Sequence, residues 1–176
     1  AAPLTATAVL DGFVIQNGNG IGETGGGMYN SYASPTLSHI DITNNAAAGA
    51  GGMANWDSSP TLTNVYIRGN IGTNMAGGIF MSNAAPILTN VIITGNYSDG
   101  MGGGIYMNAL STPILTNITI SGNKAISGGA IFNLNNYSAP IIRNSIIYGN
   151  SSGYTSNLGF PQPENKAGIE SSLIQG

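Results

Sequence analysis

Apolar residues recur along this chain in short alternating runs, and no window carries them at helical spacing. In Asn90-Val91-Ile92-Ile93-Thr94-Gly95-Asn96 and its equivalents one set of alternate positions is apolar throughout: Val65 and Ile67, Val91 and Ile93, Ile118 and Ile120. Leu37, Leu62, Leu88 and Leu115, with Ile142, form a second apolar column, each two residues past a proline. Period-two segments rich in β-branched residues and cut by Gly, Asn and Pro read as strands. Side chains alternate faces along a strand, so these columns point inward together.

The runs belong to a repeat. Pro35, Pro60, Pro86, Pro113 and Pro140 are separated by 25, 26, 27 and 27 residues. Behind them stand SPTLSHIDITNN, SPTLTNVYIRGN, APILTNVIITGN, TPILTNITISGN and APIIRNSIIYGN, and four of these lead to a glycine cluster: GGMANW, GGIFMSN, GGGIYMN and GGAIFN. A partial copy precedes them, with LDGFVIQNG and GGGMYN. Units that cannot bury an apolar face alone do so by stacking on copies of themselves. The pattern therefore predicts an all-β parallel β-helix of about six coils with three short strands per coil, spanning 1–176 as one domain. At about 4.8 Å per coil the rod is on the order of 30 Å long. Insertions fall between the Asn corner and the glycine pair, or just before the next proline, and both places are predicted loops. After Asn150 the pattern weakens: Ser151 to Asn157 reads as loop, Phe160-Pro161-Gln162-Pro163 as non-strand, and Ile169 to Ile174 as a final strand.

Two asparagine columns mark corners. One is Asn64, Asn90, Asn117 and Asn144, with His39 in the first full coil; the other is Asn45, Asn70, Asn96, Asn123 and Asn150. Asn tolerates the left-handed backbone of a sharp corner, and stacked amides can bond as a ladder. The pairs Gly51-Gly52, Gly77-Gly78, Gly103-Gly104 and Gly128-Gly129 are expected to adopt positive φ.

Composition narrows the function classes. Charged residues are 6% of the chain, and neutral polar groups, including 22 asparagines, must supply solubility. A net charge of −3 with four basic residues argues against nucleic-acid binding, since few cations replace phosphate counterions. The absence of cysteine excludes disulfides and thiolate metal sites, and no apolar run reaches membrane-span length.

Catalysis finds little support in the acids. A glycosidase needs two carboxylates about 5–10 Å apart, and a lyase on such a fold needs clustered acids with a basic proton acceptor. Asp41 has Val14 and Tyr66 as column neighbours, Asp57 and Asp99 lie in different loops, and Arg68 and Arg143 have no acidic cluster beside them in this scheme. His39, the sole histidine, is expected to serve as a corner hydrogen-bonding group rather than a metal ligand. No catalytic residue, cofactor or metal ligand is assigned. An ice-binding face needs paired threonine columns; Ser38, Thr63, Thr89 and Thr116 make one, which Arg143 interrupts, and no second threonine column joins it.

The candidate contact surface is apolar and outward. After each glycine pair the second residue is Tyr29, Ala54, Phe80, Tyr106 and Ile131. If the preceding residue (Met28, Met53, Ile79, Ile105, Ala130) points inward, this stripe faces out and can stack on sugar rings or bury a partner. A one-residue slip would instead make it core. A second outward column is Tyr66, Ile92, Thr119 and Ile146. Tyr29, Phe80, Tyr106, Tyr66 and Ile92 are the residues expected to meet a partner or glycan.

GGAI at Gly128 to Ile131, followed by the F-x-x-N run Phe132-Asn133-Leu134-Asn135, resembles the paired short motifs of chlamydial polymorphic outer-membrane protein repeats. SPTLTNVYIRGN with GGGIYMN and NSIIYGN resembles the repeats of large secreted β-helix surface proteins of Bacteroidetes. The resemblance covers about Leu10 to Gly176 and implies a right-handed parallel β-helix in an exported stalk or adhesin of a Gram-negative cell surface. The residues themselves lead to an expectation of partners: other subunits or further domains, met through open solenoid ends or apolar outer columns, and surface glycans. The alternative expectation is a carbohydrate-binding or polysaccharide-cleaving β-helix.

Overall fold

The computed structural model describes residues 5–20, 22–134, 138–153 and 168–174. The chain winds as a parallel β-solenoid of about six coils, with no helix among the described residues. Each full coil carries four short strands rather than three, so four parallel sheets run along the rod.

The first sheet stacks Val9–Asp11, Thr36–Ser38, Thr61–Thr63, Ile87–Thr89, Ile114–Thr116, Ile141–Arg143 and Gly168–Glu170. The second stacks Val14–Gln16, Asp41–Thr43, Tyr66–Arg68, Ile92–Thr94, Thr119–Ser121, Ile146–Tyr148 and Leu173–Ile174. The third comprises Asn19–Gly20, Ala46–Ala47, Ile71–Gly72, Tyr97–Met101, Lys124–Ser127 and Ser151–Ser152. The fourth comprises Met28–Ser31, Met53–Trp56, Ile79–Ser82, Ile105–Asn108 and Ile131–Asn133. The third sheet occupies the segments expected as loops between the Asn corner and the glycine pair. Its strands are mostly Ala, Gly and Ser, too short and too small to show an alternating pattern. One register shift lies there, between Ser98 and Met101. The segments before each proline are irregular, as expected. Ser151–Ser152 is strand where a loop was expected, whereas 154–157 and the Phe160–Pro163 run lie outside the described residues.

The core is a set of stacked columns. Leu37, Leu62, Leu88, Leu115 and Ile142 line it from the first sheet, Ile42, Ile67, Ile93, Ile120 and Ile147 from the second, and Met53, Ile79, Ile105 and Ile131 from the fourth, each at most 1% exposed. Their identity in consecutive coils lets each side chain rest on its own kind, which keeps packing regular without large voids.

The two asparagine columns do different jobs. Asn64, Asn90, Asn117, Asn144 and His39 sit at the corner between first and second sheets with φ of 56°, 56°, 54°, 49° and 51°. Their amides bond outside the core, Asn90 Nδ2 donating to Asn64 Oδ1 and Asn117 Nδ2 to Asn90 Oδ1, both at 3.2 Å. The other column is buried and not left-handed. The left-handed residue there is the one before it: Asn44, Gly69, Gly95, Gly122 and Gly149. This frees Asn45, Asn70, Asn96 and Asn123 to turn inward. Asn70 Nδ2, for example, donates to Asn96 Oδ1 and Ile42 O at 2.9 Å, while the Asn70 N–H donates to Asn96 Oδ1 at 3.0 Å.

The glycine pairs correct the sequence expectation. Of the eight residues only Gly128 has positive φ. The constraint is contact between coils: a Cβ at Gly77 would lie 2.5 Å from Gly103 O and 2.7 Å from Tyr97 N and O, all backbone atoms of the next coil. Gly77→Ala is therefore expected to destabilise by about 1–3 kcal/mol through overpacking. At Gly95 the φ is +62° with open space around it, and Gly95→Asn is expected to be nearly neutral because Asn44 already holds the equivalent corner. Urea unfolding of the two variants checks this; equal shifts would show that backbone conformation alone selects glycine.

Candidate functional site

Of the two parities left open by the sequence, the aromatic stripe after the glycines takes the one facing away from the main core, yet it is buried. Met53, Ile79 and Ile105 point into the main core, and Ala54, Phe80 and Tyr106 point the other way. There they meet a second, smaller core under the segments that carry Ala50, Met75, Ala76 and Met101. Phe80 and Tyr106 are 0% and 3% exposed and stack at 5.5 Å between centroids; Trp56 flanks Phe80 at 4.9 Å and Phe132 flanks Tyr106 at 5.7 Å. Burial raises the Tyr106 phenol pKa above its ordinary value. In the last coil the register pairs Tyr106 with Phe132 and Ile105 with Ile131. Ile131 is therefore core and Phe132 completes the stripe. Only Tyr29, at the first coil, keeps a large exposed face.

Tyr66 and Ile92 lie together elsewhere, in register on the outer face of the second sheet. The column through them runs Val14, Asp41, Tyr66, Ile92, Thr119, Ile146 and Leu173. Beside it run Gln16, Thr43, Arg68, Thr94, Ser121 and Tyr148. Strand alternation fixes both columns, because Ile42, Ile67, Ile93 and Ile120 between them are buried.

Charge on this face is paired across coils. Arg68 donates from Nε to Asp41 Oδ1 at 3.1 Å and from Nη2 to Asp41 Oδ2 at 2.6 Å, a bidentate fork. The pairing is diagonal, since Tyr66 and not Arg68 is the register neighbour of Asp41, and column reasoning missed it for that reason. Asp41 also raises the Arg68 pKa further. At the adjoining corner Ser38 Oγ donates to Asp11 Oδ1 at 2.7 Å and His39 Nδ1 stands 2.8 Å from the same oxygen, while Asn64 Nδ2 reaches His39 Nε2 at 3.1 Å. This is the corner hydrogen-bonding role expected for His39. The Ser38 bond, followed by that of His39, lowers the Asp11 pKa.

Two grooves flank this row. One, about 640 Å³, is lined by Val14, Gln16, Asp41, Thr43, Arg68 and Thr94; the other, about 440 Å³, by Phe13, Val14, His39, Asp41 and Tyr66. They share Val14 and Asp41. Tyr66 is 49% and Phe13 56% exposed.

Three further carboxylates are also engaged. Asp57 Oδ1 accepts from Asn83 Nδ2 at 2.5 Å, Asp99 Oδ1 from the Tyr97 hydroxyl at 2.5 Å, and Glu170 lies 3.0 Å from Arg143 Nε. The Asp99 contact raises the Tyr97 pKa. Among the described residues no three His, Cys, Asp or Glu gather closely enough to hold a metal ion. On the first sheet the outward column Ser38, Thr63, Thr89 and Thr116 is joined by Thr36, Thr61, Ile87 and Ile114, so threonine pairs with threonine in a single strand. Comparison with protein-family models, with curated proteins and with solved structures finds no match to this chain.

Proposed function

We propose that the chain is a non-catalytic solenoid segment of an exported surface protein, serving as a rigid spacer and adhesive or assembly surface. The observation that carries this reading is how the acids are used. Asp11, Asp41, Asp57 and Glu170 each bond to a side chain of the adjacent coil. Carboxylates tied into such contacts staple neighbouring turns of a rod, whereas hydrolysis needs two that converge on one bond. The buried amide ladder and uniform columns supply the stiffness a spacer needs. The likeness of GGAI, F-x-x-N and SPTLTNVYIRGN to chlamydial and Bacteroidetes surface repeats supports the cell-surface setting.

Incubation of the chain with pectic, alginate, xylan and glucan polymers checks the non-catalytic part, with reducing ends and unsaturated products as readouts. No product above a denatured control is expected; release of oligosaccharides would overturn it. Negative-stain microscopy over a concentration series then separates the two remaining modes. Ordered filaments or sheets at high concentration identify an assembly subunit, and dispersed short rods throughout identify a spacer or adhesin.

A further inference from the structure

The adhesive version of this reading requires a ligand, and the second-sheet face has the chemistry to select one. The larger groove crosses four coils, from Gln16 through Asp41 and Arg68 to Thr94, a span of about 14 Å at strand spacing. Among the described residues its only charged lining groups are Asp41 and Arg68, which neutralise one another. Gln16, Thr43 and Thr94 add amide and hydroxyl groups, and Arg68 spends two of its five N–H donors on Asp41. The adjoining groove offers Tyr66 and Phe13 as exposed rings.

This combination matches a sugar. A pyranose ring has hydroxyls around its edge, suited to planar forks such as Asp–Arg, and a C–H face suited to an aromatic ring. A phosphorylated or uronic ligand would want a cation not already held by a carboxylate. A protein partner would want a desolvated apolar centre, and here the centre is an ion pair. Strand register and the Arg68–Asp41 fork hold the groups in place, so binding orders little. We infer that the outer face of the second sheet, from Phe13 and Tyr66 to Gln16, Arg68 and Thr94, binds a neutral oligosaccharide laid along the rod axis. Tyr66 is the stacking platform and the Asp41–Arg68 pair reads ring hydroxyls. The inference rests on the adhesin reading and adds the ligand class.

Calorimetric titration of the full chain with neutral hexasaccharides (cello-, xylo-, manno-, laminari-, malto- and chitohexaose) tests it. Saturable binding to at least one is expected, weakened roughly tenfold by Tyr66→Ala or Arg68→Ala. Tyr97→Ala, on the third sheet, serves as the control that leaves binding unchanged, and melting curves establish that all variants are folded. Absence of binding across the panel, an equal loss in Tyr97→Ala, or retention of charged glycans alone would overturn the site. So would self-association of copies that Tyr66→Ala abolishes. Chromatography of the same mixtures separates this from the parent reading: cleavage overturns the non-catalytic role, whereas neither binding nor cleavage overturns only the glycan site.

Discussion

Asn96→Ala is expected to lower stability by about 2–6 kcal/mol, since each of the two buried donors left without a partner costs about 1–3 kcal/mol. Asn96 is 1% exposed. Its Oδ1 accepts from both Asn70 N–H and Asn70 Nδ2, and its Nδ2 donates to Ile67 O and Asn123 Oδ1. Truncation leaves two N–H donors of Asn70 without their acceptor in the interior, removes one bond to the Ile67 carbonyl, and cuts the chain of amides that polarise one another. A typical domain has about 5–15 kcal/mol in all, so the urea midpoint should fall by a large fraction. Asn90→Ala at the exposed corner is the matched comparison. Water can replace its amide bonds there, and the loss is the left-handed preference, about 1 kcal/mol. Equal midpoints for the two variants would mean that the inner ladder contributes no more than an ordinary turn.

Phe80→Ala is expected to cost about 3–5 kcal/mol, the range for truncating a buried aromatic. The ring fills the centre of the smaller core between Trp56 and Tyr106. Because Trp56 is the only tryptophan, its fluorescence reports the damage locally: emission should shift to the red as water reaches the emptied space. Phe80→Leu should recover part of both signals. If Phe80 were an exposed platform for a ligand, alanine would leave the midpoint and emission unchanged.

The columns behind these effects were largely readable in advance. Leu62, Val65 and Ile67 repeat so regularly that coil stacking and inward direction follow from alternation alone. Reading failed where the determinant lay between coils. Glycine at Gly77 suggested a backbone angle, but the adjacent turn selects it by leaving no room for a Cβ. The direction of the stripe at Phe80 stays open in the sequence, because the segments that cover it carry Ala and Met with no period of their own. In the last coil GGAIF imitates GGIF, which shifted Ile131 into the stripe until strand pairing put Phe132 there. The Arg68–Asp41 fork was missed because a long side chain reaches a diagonal neighbour that column reasoning does not consider.

The amide rows have a consequence for the rod as a whole. Inside, each asparagine donates toward the C-terminal end, Asn70 to Asn96 and Asn96 to Asn123. At the outer corner the direction reverses, Asn117 giving to Asn90 and Asn90 to Asn64. Aligned side-chain amides are small dipoles, and these two antiparallel files oppose one another, while sheets themselves carry little net moment. Along the described coils the outer file therefore offsets part of the polarity that the inner file gives the stack.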